Sequence, residues 1–232
     1  MPFYTEGQKI RVAIASSLLL PFQEIETGFE SLSDIDIELI SGASGSLTTQ
    51  ILNGAPYDLL ISANKSFPDR LFTGGLTENE PSELFSGQVY LWSRREINDG
   101  ISEYLLKGDF ERIAIANPEL APYGSTAKDW LVRSEVWPEI ESRLVYGNAI
   151  SQVNHYISTN VVDVAFSSNS AAYSNQLKDR GYWLKVNGST LAPYFSVVIK
   201  STNTPENVNQ FIDYLSSIQA GKVLSRFGFI LE

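Results

Sequence analysis

Four small polar turns are the stretches of this chain best suited to chemistry. Ala15 is followed by Ser16 and Ser17, and Ile40 by Ser41-Gly42-Ala43-Ser44-Gly45-Ser46. Ala116 leads into Asn117-Pro118 and then Pro122-Tyr123-Gly124-Ser125-Thr126, and Phe166 into Ser167-Ser168-Asn169. Each turn follows an apolar run that reads as a strand and precedes an amphipathic run that reads as a helix. A helix N-terminus offers unpaired N–H groups and partial positive charge, which suit an anion. Serine hydroxyls add donors without bulk. In open α/β sheets ligands bind beyond the carboxyl ends of the strands, where these turns fall. Such turns could hold a dianion with neutral donors, and the only cationic residue near them is Lys128. Taken one at a time, each turn is equally an ordinary helix cap. The pattern alone leaves anion binding and simple capping both open.

Composition removes many other chemistries. The chain has 232 residues, 43% hydrophobic and 19% charged, the balance of a globular protein of one large domain or two lobes. Seventeen Lys and Arg against 27 Asp and Glu give a net charge of -10, which argues against nucleic acid or an anionic membrane as partner. No Cys is present, so disulfides, zinc–thiolate sites and thiol nucleophiles are excluded. The single His, His155, leaves little room for a Ser-His-Asp triad or a His-rich metal site. No resident metal and no cofactor is expected.

The elements that must position the turns alternate along the chain. Residues 10–15 (IRVAIA) read as a strand. Leu18, Phe22, Ile25, Phe29 and Leu32 recur at spacings of four and three, one face of a helix with Pro21 in its first turn. Further strands are expected at 35–40, 57–63, 88–93, 112–116, 143–146, 162–167, 182–186 and 194–200. Helices are expected near 47–53, 67–72, 125–133, 150–159, 169–178, 205–217 and 219–227. This alternation predicts an α/β protein with mostly parallel sheets. Nine or so strands are too many for one comfortable layer, so two lobes are expected. Residues 79–88, with Pro81 and Gly87, and 187–193, with Gly188 and Pro193, are the candidate crossover points. Residues 8–86 with 194–232 then form one lobe, and 87–193 the other.

The apolar stretch 12–22 follows Lys9 and Arg11, as a secretory segment would. It is too short to span a bilayer, and Ser16, Ser17 and Pro21 interrupt it. A buried strand running into a helix explains it better.

At these residues a resemblance becomes visible. Ala15-Ser16-Ser17-Leu18, the turn 41–47, Gln50-Ile51 and the run Gly54-Ala55-Pro56-Tyr57-Asp58-Leu59-Leu60-Ile61-Ser62-Ala63 resemble the periplasmic molybdate-binding proteins of ABC importers. The likeness continues through 111–118, Pro122-Tyr123-Gly124 and Ala127-Lys128, and ends with Ala220-Gly221-Lys222 and Arg226-Phe227-Gly228-Phe229. It spans nearly the whole chain in order.

The resemblance implies a two-lobed type II periplasmic-binding-protein fold with an oxyanion in the cleft between lobes. It implies Ser17 as a donor through its hydroxyl and N–H, with Ser16 beside it. Ser44 matches the serine of the second turn. Tyr123 and Ile150 match positions whose backbone N–H groups donate. Phe166 stands where a ligating tyrosine is typical, so Ser167, Ser168 or water would have to supply the missing hydroxyl. The implied function is an extracytoplasmic receptor for molybdate, with tungstate as the next candidate. The implied partner is an ABC permease in the membrane, the receptor itself being monomeric and its signal peptide removed. A receptor of the same fold for another small anion or polar solute is the first alternative, because of Phe166. An α/β enzyme acting on an anionic substrate at the same turns is the second. It is disfavoured, since no general base stands in the turns and no catalytic residue is identified.

The remaining chemical groups have plain structural readings. His155 on its predicted helix reads as structural or exposed. Trp92, Trp130, Trp137 and Trp183 read as packing residues. Asp34, Asp36 and Glu38 alternate with Ile along a strand and read as a solvated edge, not a calcium loop. The 42–46 turn is no phosphate-binding loop of the nucleotide type, because no Gly-Lys-Ser/Thr follows.

Overall fold

The computed structural model describes residues 8–231. In chain order, the first part runs β1 (Gln8–Ala15), α1 (Leu19–Glu30), β2 (Ile35–Gly42), α2 (Ser44–Leu52), β3 (Leu59–Ser62), α3 (Ser66–Thr73) and β4 (Ser82–Gly87). Next come β5 (Val89–Ser93), α4 (Ile101–Lys107), β6 (Ile113–Ala116), α5 (Pro122–Arg133), α6 (Trp137–Ile140), β7 (Leu144–Gly147), α7 (Ile150–Ser158), β8 (Val164–Ser168), α8 (Asn169–Tyr173) and β9 (Tyr182–Lys185). The chain closes with β10 (Ala192–Val198), α9 (Pro205–Leu215), α10 (Ile218–Arg226) and β11 (Ile230–Leu231).

The strands form two sheets, one in each of two lobes. The first has the order β11-β4-β10-β3-β1-β2 and the second β7-β6-β8-β5-β9. The chain passes from first to second between Gly87 and Val89, and returns between Lys185 and Ala192. Both sheets are mixed rather than mostly parallel. β1 pairs in parallel with β2 and β3, and β6 with β7 and β8. The strands next to the crossings, β4, β5, β9 and β10, pair antiparallel. A strand that enters or leaves a sheet from the other lobe is not bound to the direction that helical crossovers impose.

Burial explains why the central strands form. β1 is covered on both faces, which is why it reads as a continuous apolar run. Ile10, Val12 and Ile14 belong to the core beneath α1 and α9, where Phe211 meets Phe22 and Phe29 edge-on. Ala13 packs with Leu47, Ile51 and Leu71 from α2 and α3 on the other face. In β6, all four residues are buried. The apolar stretch 12–22 is thus the end of β1, a 3-10 turn at Ser16–Leu18 and the start of α1. Among the described residues, no helix is long and apolar enough to cross a membrane. β2 is the solvated edge expected from its charges: Glu38 pairs with Lys9 at 2.8 Å and Arg11 at 3.3 Å. Those bonds, the Lys9 contact first, hold the Glu38 carboxyl below its ordinary range.

Several local expectations are corrected. The stretch 79–88, read as a crossover loop, contains β4. α4, α6 and β11 were not anticipated. The helix expected at 169–178 stops at Tyr173; the Ser174 hydroxyl then accepts from the Leu177 N–H at 3.2 Å and closes a turn. The turn 41–46 shrinks to Ala43, since β2 continues to Gly42 and α2 begins at Ser44.

Candidate functional site

The carboxyl ends of β1 and β2 and the N-termini of α2, α5 and α7 converge between the two sheets. Ala15, Ser16, Ser17, Gly42, Ala43, Ser44, Ala63, Ala121, Pro122, Tyr123 and Ile150 line a cavity of about 190 Å³ there, including the space open to solvent. That is below the ~300–1,000 Å³ of pockets for organic ligands, so the cavity suits a small ion. No lining residue is charged.

Local sequence accounts for each donor. Ser16 and Ser17 form the 3-10 turn that links β1 to α1. Ser44 is the first residue of α2, and Ile150 the first of α7. Pro122 opens α5, where its missing N–H costs nothing, and Tyr123 follows. First-turn N–H groups have no acceptor inside their own helix. Among the described residues, the N–H groups of Ser44, Tyr123 and Ile150 have no protein acceptor. Each is therefore available to an anion in the cavity.

The α5 terminus reaches the cavity because Gly124 has no side chain. A Cβ there would lie 2.1 Å from the Ala116 carbonyl oxygen at the end of β6. Lys128, the nearest cation in sequence, lies over the Trp137 ring at 5.2 Å and does not line the cavity.

The serine hydroxyls are buried and partnered. Ser44 Oγ accepts from the Ala63 N–H at 3.3 Å, which leaves its own proton free. Ser16 Oγ accepts from the Ser151 N–H at 3.3 Å, a bond between the sheets' two halves of the molecule. Ser17 Oγ lies 2.6 Å from the Tyr194 hydroxyl. Two more bonds cross at the same place: the Gly45 N–H donates to the Leu120 carbonyl at 2.9 Å, and the Ser170 hydroxyl to the Ser17 carbonyl at 2.5 Å.

The structure thus brings Ser16, Ser17, Ser44, Tyr123 and Ile150 together. It does not bring Phe166 or Ser167 to this cavity. The Phe166 side chain is fully buried, its ring 6.1 Å from that of Trp130. The Ser167 hydroxyl donates to Asn154 Oδ1 at 2.6 Å. Instead Ser168, bonded to Ser170 at 2.9 Å, stands behind the Ser17 carbonyl.

Tyr194 and Asn169 were missed as site residues. Tyr194 donates to the Tyr123 hydroxyl at 3.1 Å, and Tyr123 to Asn169 Oδ1 at 2.8 Å. Burial pushes the phenols of Tyr194 and Tyr123 above their ordinary pKa. Tyr194 lies 177 residues from Ser17 and 71 from Tyr123, so no local pattern announces the contact.

Larger cavities lie elsewhere. One of about 1010 Å³ runs beside β10 and α9, with Glu78, Glu80 and Lys200 in its wall. Another, about 840 Å³, adjoins Ser16 and is lined by His155 and Arg180 among others. Both have charged side chains in their walls, and neither brings together the N-termini of α2, α5 and α7, which is why the small cavity is the candidate site. His155 is exposed on α7, as expected. Among the described residues, no group of three or more His, Asp or Glu is placed to hold a metal ion.

A two-lobed mixed α/β fold with uncharged donors facing a central cleft defines a solute-binding protein. The chain matches the family model described as bacterial extracellular solute-binding protein over residues 10–230, and it belongs to that family. Its relatives are receptors and not enzymes. The molybdate-binding protein ModA of Azotobacter vinelandii is 26% identical over 98% of this chain and 92% of its own. A putative ABC transporter substrate-binding lipoprotein, YvgL of Bacillus subtilis, is 26% identical over 98% of this chain and 90% of its own. Among solved structures, the periplasmic molybdate-binding protein of Azotobacter vinelandii superposes with a TM-score of 0.87 at 25% identity, covering 96% of this chain and 99% of its own. The sulfate-binding protein SubI of Mycobacterium tuberculosis shares the fold at a TM-score of 0.82 and 14% identity, covering 96% of this chain and 86% of its own.

Proposed function

We propose that this chain is an extracytoplasmic receptor for a tetrahedral oxyanion, molybdate first and tungstate next, and that it delivers the anion to an ABC permease. The convergence on one small, uncharged cavity of the turns that lead into α1, α2, α5 and α7 supports this reading most strongly. Ser16 and Ser44 donate through their hydroxyls, Ser17 through hydroxyl and N–H, and Tyr123 and Ile150 through N–H groups. The lobes that close on the anion are residues 8–86 with 194–232, and 87–193. The receptor acts as a monomer, and the closed face docks on the permease.

The chemistry follows from the donors. Neutral dipoles in a closed cleft act strongly because the local dielectric is low. They neutralise a dianion without the desolvation cost of a buried cation. A site made mostly of donors favours a fully ionised oxyanion, whose oxygens are all acceptors. The size of the tetrahedron then separates molybdate and tungstate from sulfate. Because donors come from both lobes, the anion binds the closed state better than the open one and shifts the population toward it.

Isothermal titration of the dialysed protein with molybdate, tungstate, sulfate and phosphate tests the reading. Submicromolar binding of the first two, with no heat from the others, is expected. Tight sulfate or phosphate binding, or no heat from any of the four, contradicts it.

A further inference from the structure

The Ser17 hydroxyl ends a buried chain of groups that each have one hydroxyl proton, and proton counting fixes the direction of every bond in it. The chain is anchored at Asn169. Its Nδ2 donates to the Phe227 carbonyl at 2.9 Å, and its Oδ1 accepts from the Gln88 N–H at 3.0 Å. The amide is therefore oriented from both sides, and Tyr123 can only donate to Oδ1, at 2.8 Å. A phenol has one proton. With it spent, the Tyr123 oxygen accepts from Tyr194 at 3.1 Å. The single proton of Tyr194 is then spent as well. Ser17, 2.6 Å from that oxygen, must donate to it. None of the four side chains is more than 3% exposed, so each proton must find its partner within the protein. Gly87 makes room for the chain: a Cβ there would lie 2.0 Å from the Tyr123 hydroxyl.

This polarity matters for the cavity. The hydroxyl protons of Ser17, Tyr194 and Tyr123 all point away from it, so Ser17 Oγ turns lone pairs toward an incoming anion. A fully ionised oxyanion has only acceptors to offer.

We propose that Tyr194 is a hydroxyl switch that sets whether Ser17 accepts or donates in the site. When a fully ionised oxyanion enters, the Tyr194 O–H turns from Tyr123 to Ser17 Oγ, and Ser17 donates to the anion. Only C–O–H bonds rotate; no proton leaves its oxygen and no charge moves. The bond given up, Tyr194 to Tyr123, is the longest of the three hydroxyl contacts. The bond gained is charge-assisted and backed by a donor, so it is the stronger. An anion that keeps a proton can donate to the resting Ser17 and needs no switch. Tyr194 therefore bears on which protonation state of an oxyanion the site accepts. The inference rests on the oxyanion site proposed above.

Tyr123→Phe tests it. The substitution leaves the backbone N–H in place and Asn169 Oδ1 bonded to Gln88. It leaves Ser17 as the only hydroxyl partner of Tyr194 in the chain, so the switch is set before the anion arrives. Molybdate is expected to bind about fivefold tighter, the equivalent of one neutral hydrogen bond no longer broken on loading. Unchanged or weaker binding, as a structural role for the phenol predicts, overturns the switch. Should the variant fail to fold, proton NMR of the wild type decides. The Tyr194 hydroxyl proton should show cross-relaxation with the Tyr123 ring in the free protein and with the Ser17 β-protons once molybdate is bound. A pattern that molybdate leaves unchanged overturns the switch. Wild-type protein that binds no oxyanion overturns the site reading and the switch together, whereas a wild type that binds beside an unmoved variant overturns the switch alone.

Discussion

Ser44 and Phe166 show what a single side chain decides in this cleft. Ser44 Oγ has its proton free and lies in the cavity wall, so Ser44→Ala removes one hydrogen bond to a charged ligand. Such a bond contributes ~1.5–3 kcal/mol, and titration of the variant should show molybdate affinity reduced about 10- to 100-fold. Phe166→Tyr should do the opposite of restoring a ligand. The added hydroxyl enters a packed interior beside Trp130, at a cost of about 1–3 kcal/mol in urea unfolding. Affinity for molybdate should stay within about twofold, because the ring does not reach the cavity. The serines were legible because small hydroxyl residues at strand-to-helix turns have a physical reason to be there. The surroundings of Phe166 were not legible, because all five residues of β8 are buried and no alternation marks which side chains face the cleft.

Among elements, the termini of α2, α5 and α7 do the positioning, and the approach of α5 to β6 is the tightest. Gly124→Ala puts a methyl group 2.1 Å from the Ala116 carbonyl oxygen, so helix and strand must separate. The variant should melt several degrees lower, and molybdate affinity should fall by more than about tenfold as the Tyr123 N–H withdraws. A variant that binds as wild type would show that α5 does not donate. Long elements with one clear apolar face, such as α1 and α9, were readable from periodicity alone. β4 was not, because Pro81 and Gly87 frame it and its exposed start, Ser82 and Glu83, shows no alternation. It exists because β10 and β11 pair with its two sides. The bounds of α8 were equally hidden, being set by a side-chain turn at Ser174 rather than by the sequence period.

For the whole molecule, the return of the chain through β10 matters most, since it brings Tyr194 under Ser17 and against Tyr123 in the other lobe. Two buried phenols meeting there have a consequence for stability. Burial holds both above their ordinary value of 10.0. Their contribution is complete below that pH. Above it, the unfolded state releases protons that the native state keeps, so stability falls as pH rises. Urea unfolding at pH 9 and pH 11 should show this loss, and Tyr194→Phe should flatten it. An equal slope in both proteins would place the alkaline sensitivity elsewhere. Contacts of this kind, between residues far apart in sequence, were invisible in the chain. The alternation of strands and helices was enough to foresee two α/β lobes, but not the mixed sheets or the polar chain that joins them.

The most direct measurement is a crystal structure of the protein grown with molybdate, with diffraction recorded at the molybdenum absorption edge. The account predicts one strong anomalous peak in the cleft, within hydrogen-bond reach of Ser16, Ser17, Ser44 and the N–H groups of Tyr123 and Ile150. A peak in the cavity beside His155 and Arg180, or none in the cleft at full saturation, would contradict it.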